Sequence, residues 1–359
     1  MDTKSQREVR LIDGAWSIPQ IMASLAKALV SDGPALGFGA VTSTEVDGKV
    51  AVVVTSTGTT GSNKEFCLGA EALLASAKAA NQYLSAAAGE TWSLLLPLTH
   101  IAAVNVLVRS LELGTIPINL IDFVGDFPTV NYTAIVPTQL YIALNSDERL
   151  LKHLQSAKAV LVGGAALSPE LADQASAVGI NLVTTYGMSE TCGGCVYNGE
   201  AIAGVDVAIT ETGFIKVKGK VLASNLNLDS EAWFHTSDRG ELISGKLKVI
   251  GRSDDVIISG GENISLSDIE NSIAASFANL EFAAFAIPSK KWGQELHIAA
   301  VNAPADFNAR VESVLIEQFG KIAKPKRFHQ LTALPLIGIG KVDRSALAQI
   351  AMKSESAVE

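Results

Sequence analysis

Over the first two hundred positions the apolar residues gather in short unbroken runs, whereas further along they alternate with polar ones. The runs "VAVVV", "TWSLLLPL", "TAIVP", "AKAVLVGGAAL" and "GINLVTTYG" read as buried strands. Stretches of helical period lie among them, notably "LGAEALLASAKAANQYLSAAAG" and "SPELADQASAVG". The first strand, the loop "TSTGTTGSNKEF" and the Ala-rich helix read together as a strand, loop, helix unit. Such alternation predicts an α/β fold with a mostly parallel sheet, whose ligands gather at the carboxyl ends of the strands. From about residue 202 short alternating segments, "VDVAIT", "GFIKVKG" and "LISGKLKVIG", predict a small antiparallel β subdomain. After "GRSDD" a smaller α+β pattern follows, with helices "SLSDIENSIAASF" and "FNARVESVLIEQFGKI" around strands "EFAAFAIP" and "ELHIAAV". The domain boundary is therefore expected at residues 251–255, giving an N-terminal domain 1–251 (β subdomain about 202–251) and a C-terminal domain 252–359. The tail "KSESAVE" is expected to fray.

The chain has 359 residues, enough for about two domains with a sizeable core. Its formal charge of −9 argues against a nucleic-acid backbone or an anionic membrane as the main partner, so any phosphate binding must be local. The start "MDTKSQREVR" has no signal-peptide core, and Pro97, Thr99, His100 and Asn105 interrupt the greasiest stretch. A cytoplasmic protein without integral membrane association is expected. Cys192 and Cys195 form a CxxC, but no second ligand pair accompanies them, so reduced thiols beside Gly-Gly are favoured over a redox or zinc site.

The loop after the first strand fails the P-loop pattern, because Asn63 precedes Lys64 and Glu65 follows it. Its residue types still suit an anion. Ser56, Thr57, Thr59, Thr60 and Ser62 offer hydroxyls, Gly58 and Gly61 let backbone amides approach, and Lys64 adds a charge. By itself the loop reads equally well as a phosphate grip or as a polar turn.

Four later segments, "TTYGMSET", "FHTSDRGEL", "VIGRSDDVIISGGENISLSDIE" and "LPLIGIGKVDR", follow the loop in order. With it they resemble the ordered motifs of the acyl-adenylate-forming superfamily across residues 55–344. The resemblance implies an α/β fold with a large N-terminal domain, mostly parallel sheets and a small β subdomain, plus a small mobile α+β C-terminal domain. It also implies ATP and CoA as co-substrates and Mg2+ as cofactor. Residues Thr55 to Gly61 with Lys64 would hold the outer phosphates of ATP, and Gly163, Gly164 and Ala165 would lie against adenine. Within "TTYGMSE", Thr185, Tyr186 and Gly187 belong to the nucleotide site, with Tyr186 stacking on adenine. Ser189 would reach the α-phosphate, and Glu190 would hold Mg2+ as both metal ligand and catalytic residue. Asp238 would accept from the ribose hydroxyls and Arg252 would touch ribose or phosphate. Asp254 matches the hinge, and Lys341 the lysine that enters for adenylation; Lys341, Lys64 and Glu190 are the implied catalytic set. Gly260, Gly261 and Glu262 would line the CoA channel.

The stretch "LPLTHIAAVNVLVRSLELG" resembles the acyl-pocket segment of 2-succinylbenzoate-CoA ligases of menaquinone biosynthesis, with His100 and Arg109 in matching places. An arginine among Val106, Leu107, Val108 and Leu111 needs an anionic partner, and the aromatic carboxylate of 2-succinylbenzoate supplies one. The plainer alternative pairs Arg109 with Glu112 or solvent. The expected partners are a small-molecule carboxylic acid, ATP and CoA, with no nucleic acid; homo-oligomerisation is compatible with the chain. Adenylation of another acid, transfer to a carrier-protein thiol, and a non-catalytic nucleotide-binding homologue remain the alternatives. The loop at residue 55 comes earlier than in most members, which implies a shortened N-terminal region.

Overall fold

The computed structural model describes residues 6–57, 63–252, 255–274, 276–277, 280–337 and 341–356. Two compact units divide the chain, Met1–Thr236 with Gly240–Lys248, and Ser237–Arg239 with Val249–Glu359.

The first unit opens with a five-stranded sheet built from β1 (Gln6–Leu11), β2 (Ala35–Phe38), β3 (Glu45–Asp47), β4 (Val50–Thr57) and β5 (Asn63–Gly69), in the order β3-β1-β2-β4-β5. Helix α1 (Ile18–Leu29) connects β1 to β2 and starts where the Ser17 N–H donates to the Gln20 side chain, with Pro19 in its first turn. Its Ile21, Met22 and Leu25 are fully buried on one face. The guanidinium of Arg7 is spent on three backbone carbonyls, those of Ala28, Gly33 and Val50, which is how a charged residue sits inside β1.

One expectation fails here. The segment before the Ala-rich helix α2 (Ala70–Tyr83) is not loop throughout; residues from Asn63 form β5, antiparallel to β4, with Ser56 opposite Lys64 and Thr55 opposite Glu65. The unit is a hairpin followed by a helix. Phe66 and Leu68 are buried on one face of β5, and Lys64, two residues before Phe66 on that same face, lies beyond the buried stretch and is exposed. The outer edge of β5 is closed by Asn225, whose side-chain amide accepts from Cys67 N–H at 2.9 Å and donates to Glu65 C=O at 2.8 Å.

The second sheet has seven strands: β6 (Trp92–Leu94), β7 (Ile118–Asn119), β8 (Tyr132–Ile135), β9 (Ala159–Val162), β10 (Leu182–Met188), β11 (Gly193–Tyr197) and β12 (Glu200–Ala201), ordered β12-β11-β10-β9-β8-β6-β7. From β7 to β10 the pairings are parallel; β11 and β12 turn antiparallel. Crossover helices α3 (Ile101–Glu112), α4 (Pro137–Asn145), α5 (Glu148–Ser156) and α6 (Pro169–Ala177) accompany it. Asp147 and Ser168 cap α5 and α6 through their side chains. Ile135, Leu140, Leu154, Val160, Val162 and Ala175 form one apolar core between strands and helices. A buried polar pin crosses it, where the Ser93 hydroxyl bridges His153 Nε2 at 2.9 Å and Thr133 Oγ1 at 2.7 Å.

A four-stranded sheet follows, β13 (Val205–Ile209), β14 (Phe214–Gly219), β15 (Phe234–Ile243) and β16 (Lys246–Arg252) in sequence order. The two-unit division passes through β15 and β16.

In the second unit β17 (Val256–Ser259), β18 (Glu262–Ser265), β19 (Phe282–Ser289), β20 (Gly293–Val301) and β21 (Arg327–Leu331) make a sheet ordered β18-β17-β20-β19, with β21 parallel to β20. Helices α7 (Leu266–Ala274) and α8 (Phe307–Phe319) bury Ile269, Ile273, Phe307, Val311 and Leu315 in one apolar cluster with Leu296 and Ile298. A two-stranded ribbon of β22 (Leu336–Ile337) and β23 (Lys341–Val342) precedes α9 (Arg344–Ser356). The start of the expected frayed tail is therefore helical as far as Ser356, because Leu347 and Ala351 anchor α9 in a second cluster with Phe285 and Ile287.

Candidate active site

The carboxyl ends of the parallel strands β9 and β10 carry two of the glycine segments singled out in the sequence. Gly163 follows β9 beside Thr185, whose Oγ1 donates to the Val162 carbonyl at 3.3 Å. A Cβ on Gly163 would come within 2.3 Å of that hydroxyl, so only glycine lets the two strand ends lie flush. Gly164 takes φ +83°, and Ala165 after it is exposed. At the end of β10 the register with β11 shifts between Tyr186 and Gly187, and a Cβ on Gly187 would stand 2.0 Å from the Gly193 carbonyl oxygen. The bulge turns the chain into a one-turn 3₁₀ helix, Ser189–Thr191. Thr191 pins that turn, accepting from Met188 N–H at 3.0 Å and donating to the Gly193 carbonyl at 2.7 Å. Ser189 and Glu190 thus follow β10 on a braced turn, Ser189 buried and Glu190 half-buried, and the Glu190 carbonyl accepts from Ala223 N–H. Gly163, Thr185, Tyr186, Gly187, Ser189 and Glu190 are brought to one end of one sheet.

In the hairpin, the Thr55 hydroxyl is engaged by the Ala40 N–H at 3.2 Å, and Gly39 beside it takes φ +89°. Glu65, the residue that spoils the P-loop match, has a structural use: its carboxylate accepts from both the N–H and the hydroxyl of Thr42 and of Ser43. Burial alone would raise its pKa, but these hydrogen bonds, that of the Ser43 hydroxyl foremost, outweigh burial and lower it. Lys64 is exposed. Gly58, Thr59, Thr60 and Gly61 lie outside the described residues, as does Asp254; of Thr57 and Lys341 only the backbone is described.

His100 caps the start of α3 and Arg109 lies nine residues on, about 13 Å further along the axis at 1.5 Å per residue, so the two do not meet. Burial lowers the His100 pKa. Arg109 is only 3% exposed. Its Nη2 donates to the Tyr197 hydroxyl at 2.8 Å, its guanidinium carbon lies 5.1 Å from the Trp92 ring centroid, and its Nε has no partner. Among the described residues no carboxylate pairs with it. Glu112, the alternative partner, accepts instead from Asn81. Asn81 Oδ1, Trp92 Nε1, Asn105 Oδ1 and Ser110 Oγ are also buried without a hydrogen bond, so unsatisfied polar atoms gather around α3. Asn105 shares the Arg109 face at i, i+4 and donates to the Cys192 carbonyl at 2.8 Å. The sequence did not single out Tyr197, Trp92 or Asn81, and the four-residue spacing of Asn105 and Arg109 was its one usable signal. Cys192 and Cys195 are buried reduced thiols; burial raises both, Cys195 to about 12.

In the second unit Asp238 is buried, with Arg252 Nη1 at 3.8 Å from its Oδ1 and Arg252 Nη2 donating to the Ser237 hydroxyl at 3.0 Å. Gly260 and Gly261 form the two-residue turn between β17 and β18, both at positive φ (+61° and +89°), and Glu262 beyond them is exposed. Lys341 opens β23 opposite Ile337.

Among the described residues no three His, Cys, Asp or Glu side chains gather to hold a metal. The carboxylate of Glu190 is an oxygen donor of the kind a hard cation such as Mg2+ takes. No helix among the described residues is long and apolar enough to cross a membrane.

Comparison with known proteins adds to this geometry. Residues 5–223 match the family described as AMP-binding enzyme. The chain is 36% identical over 330 residues, 85% of either chain, to the probable 2-succinylbenzoate-CoA ligase of Mycobacterium tuberculosis. It is 28% identical to the 2-succinylbenzoate-CoA ligase of Staphylococcus epidermidis, over 82% of this chain and 69% of that one. In fold it is similar to the o-succinylbenzoate CoA synthetase of Bacillus subtilis in complex with ATP and magnesium ion, with TM-score 0.72, 21% identity, and coverage of 94% of this chain and 83% of that one.

Proposed function

The chain belongs to the AMP-binding enzymes, as an AMP-forming acid-CoA ligase that adenylates a carboxylic acid, and from that premise we propose that its acid is 2-succinylbenzoate. The observation that carries the proposal is Arg109, a buried guanidinium held by Tyr197 and Trp92 with an unpartnered Nε and no carboxylate among the described residues. A buried cation left so is costly, and an aromatic carboxylate supplied by the substrate would settle the charge. The named substrate of the M. tuberculosis and S. epidermidis relatives supports the same acid.

In the proposed reaction the succinyl carboxylate attacks the α-phosphorus of ATP, forming acyl-AMP and releasing pyrophosphate. Thr55 to Gly61 and Lys64 hold the outer phosphates, and Gly163, Gly164, Ala165, Thr185 and Gly187 bound the adenine site, on which Tyr186 stacks. Ser189 donates to the α-phosphate. Glu190 would hold Mg2+, which when bound would offset the negative charge of the phosphates. Asp238 and Arg252 engage the ribose, and Lys341 offsets the charge that builds as pyrophosphate leaves. The C-terminal domain, 252–359, then turns near Asp254, and the CoA thiol reaches the acyl carbonyl past Gly260, Gly261 and Glu262, expelling AMP. One centre thus serves two transition states.

The test is pyrophosphate exchange across a panel of acids, with detection of the CoA ester. Exchange and thioester formation with 2-succinylbenzoate are expected. If a monocarboxylate supports exchange and 2-succinylbenzoate does not, the assignment from Arg109 fails.

A further inference from the structure

Arg344 stands three residues after Lys341 and opens α9. Its guanidinium serves three acceptors on three elements or their margins: Nη1 donates to Asp255 Oδ1 at 2.6 Å just before β17, Nη2 to Glu270 Oε2 at 2.8 Å on α7, and Nε to the Ala284 carbonyl at 2.9 Å on β19. The acceptors are themselves held. Glu270 Oε1 accepts from Ala284 N–H at 2.9 Å, and the Ser267 hydroxyl donates to Asp255. Between Lys341 and Arg344, Asp343 donates its N–H to the Pro335 carbonyl at 2.8 Å and caps α9 by accepting from Ala346 N–H at 2.9 Å. Five bonds within four residues therefore fix the chain immediately after the lysine.

Packing contributes as well: Leu347 and Ala351 seat α9 against β19 in an apolar cluster that Val342 joins, but such contacts carry no directional bond at the helix start. A planar, forked cation held by two carboxylates and a carbonyl fixes the end of the helix nearest Lys341. Electrostatic catalysis by a lysine needs such placement, since a contact displaced by about 1 Å can cost about a hundredfold in rate.

We propose that Arg344 is a positioning residue for Lys341, clamping the β22–β23 ribbon to the body of the second unit through Asp255, Glu270 and Ala284, so that the lysine enters adenylation on a fixed backbone. The proposal rests on the reading of Lys341 as the adenylation lysine.

The test uses the full chain as wild type, Arg344→Gln, Arg344→Lys and Asp255→Asn, with two kinds of readout. Amide hydrogen exchange should rise about tenfold at Lys341 and Val342 in Arg344→Gln and stay unchanged within β19 and β20. In separate half-reactions, the same variant should lose about tenfold or more in adenylation kcat while KM for ATP and thiolysis of preformed acyl-adenylate each change by less than about twofold. Arg344→Lys should recover part of the adenylation rate, and Asp255→Asn should fall between. Unchanged amide exchange at Lys341 and Val342 overturns the clamp whatever acid the enzyme uses. Equal losses in both half-reactions overturn positioning and leave a structural role. A wild type that adenylates no acid, with amide exchange still raised in Arg344→Gln, overturns the catalytic reading of Lys341 while leaving the clamp itself in place.

Discussion

Arg109 donates to the Tyr197 hydroxyl across 2.8 Å, joining residues 88 apart in sequence at a buried point where the cation meets no carboxylate of the described chain. Arg109→Met should therefore cost little stability, because an apolar residue of similar length replaces an unneutralised charge. It should cost about 2–4 kcal/mol in kcat/KM for 2-succinylbenzoate, about 30- to 1,000-fold. Thermal denaturation beside steady-state exchange kinetics checks both. A lowered midpoint with unchanged kcat/KM would mark Arg109 as structural.

Gly187 offers no room for a side chain, since the clashing atom is the backbone oxygen of Gly193 rather than a movable side-chain end. Gly187→Ala should destabilise the chain by about 2–3 kcal/mol and displace the turn that carries Ser189 and Glu190. Denaturant unfolding measures the first effect and pyrophosphate exchange the second. Wild-type values in both would refute the geometry at the β10–β11 bulge.

Lys341→Ala should slow adenylation by about a hundred- to a thousandfold and thiolysis of preformed acyl-adenylate by less than about tenfold. Glu190→Gln should instead raise the Mg2+ concentration needed for half-maximal exchange. Rapid-quench measurement of each half-reaction, with Mg2+ titrated, separates the two. Parallel losses in both steps for Lys341→Ala would refute the division of labour.

His153 gives the protein an acid-sensitive pin. Its Nδ1 faces the Pro128 carbonyl at 3.1 Å, so the neutral ring carries its proton there, and its Nε2 lies 2.9 Å from the Ser93 hydroxyl. Burial lowers its pKa more than the Pro128 contact raises it. The unfolded state then binds the proton more readily, so the stabilisation is complete above the unfolded value of about 6.5 and is lost progressively as pH falls from there through the lower folded value. Glu90, held near 2 first by Lys158 and then by Tyr132, does not titrate in that window. The melting temperature should drop from about pH 7.5 to about pH 5.5, and His153→Gln should flatten part of that slope. An identical slope in the variant would exonerate the histidine.

The sequence displayed whatever depends on local pattern. The parallel strands, the glycine segments after β9 and β10 and the antiparallel texture beyond residue 202 all come from period and composition. β5 was hidden because Lys64 and Glu65 made a strand look like loop; Glu65 is tolerated there only because Thr42 and Ser43, far back in the chain, bind it. The surroundings of Arg109 were invisible for a related reason. Trp92, Asn81 and Tyr197 reach it from β6, α2 and β11, and no spacing rule connects elements so distant. The helix that reaches Ser356 was not legible from "KSES", which is polar, because the residues that seat α9, Leu347 and Ala351, lie upstream.

Asn225 offers the outer edge of β5 one acceptor and one donor at the spacing that a neighbouring strand would present. A single side chain thereby impersonates a strand and occupies groups that another molecule could otherwise recruit by sheet extension. Replacing it with alanine would free the Cys67 N–H and the Glu65 carbonyl on the outer edge of the β4–β5 hairpin, leaving only the Cys67 carbonyl covered, by Ser224, and so open part of that edge to strand pairing.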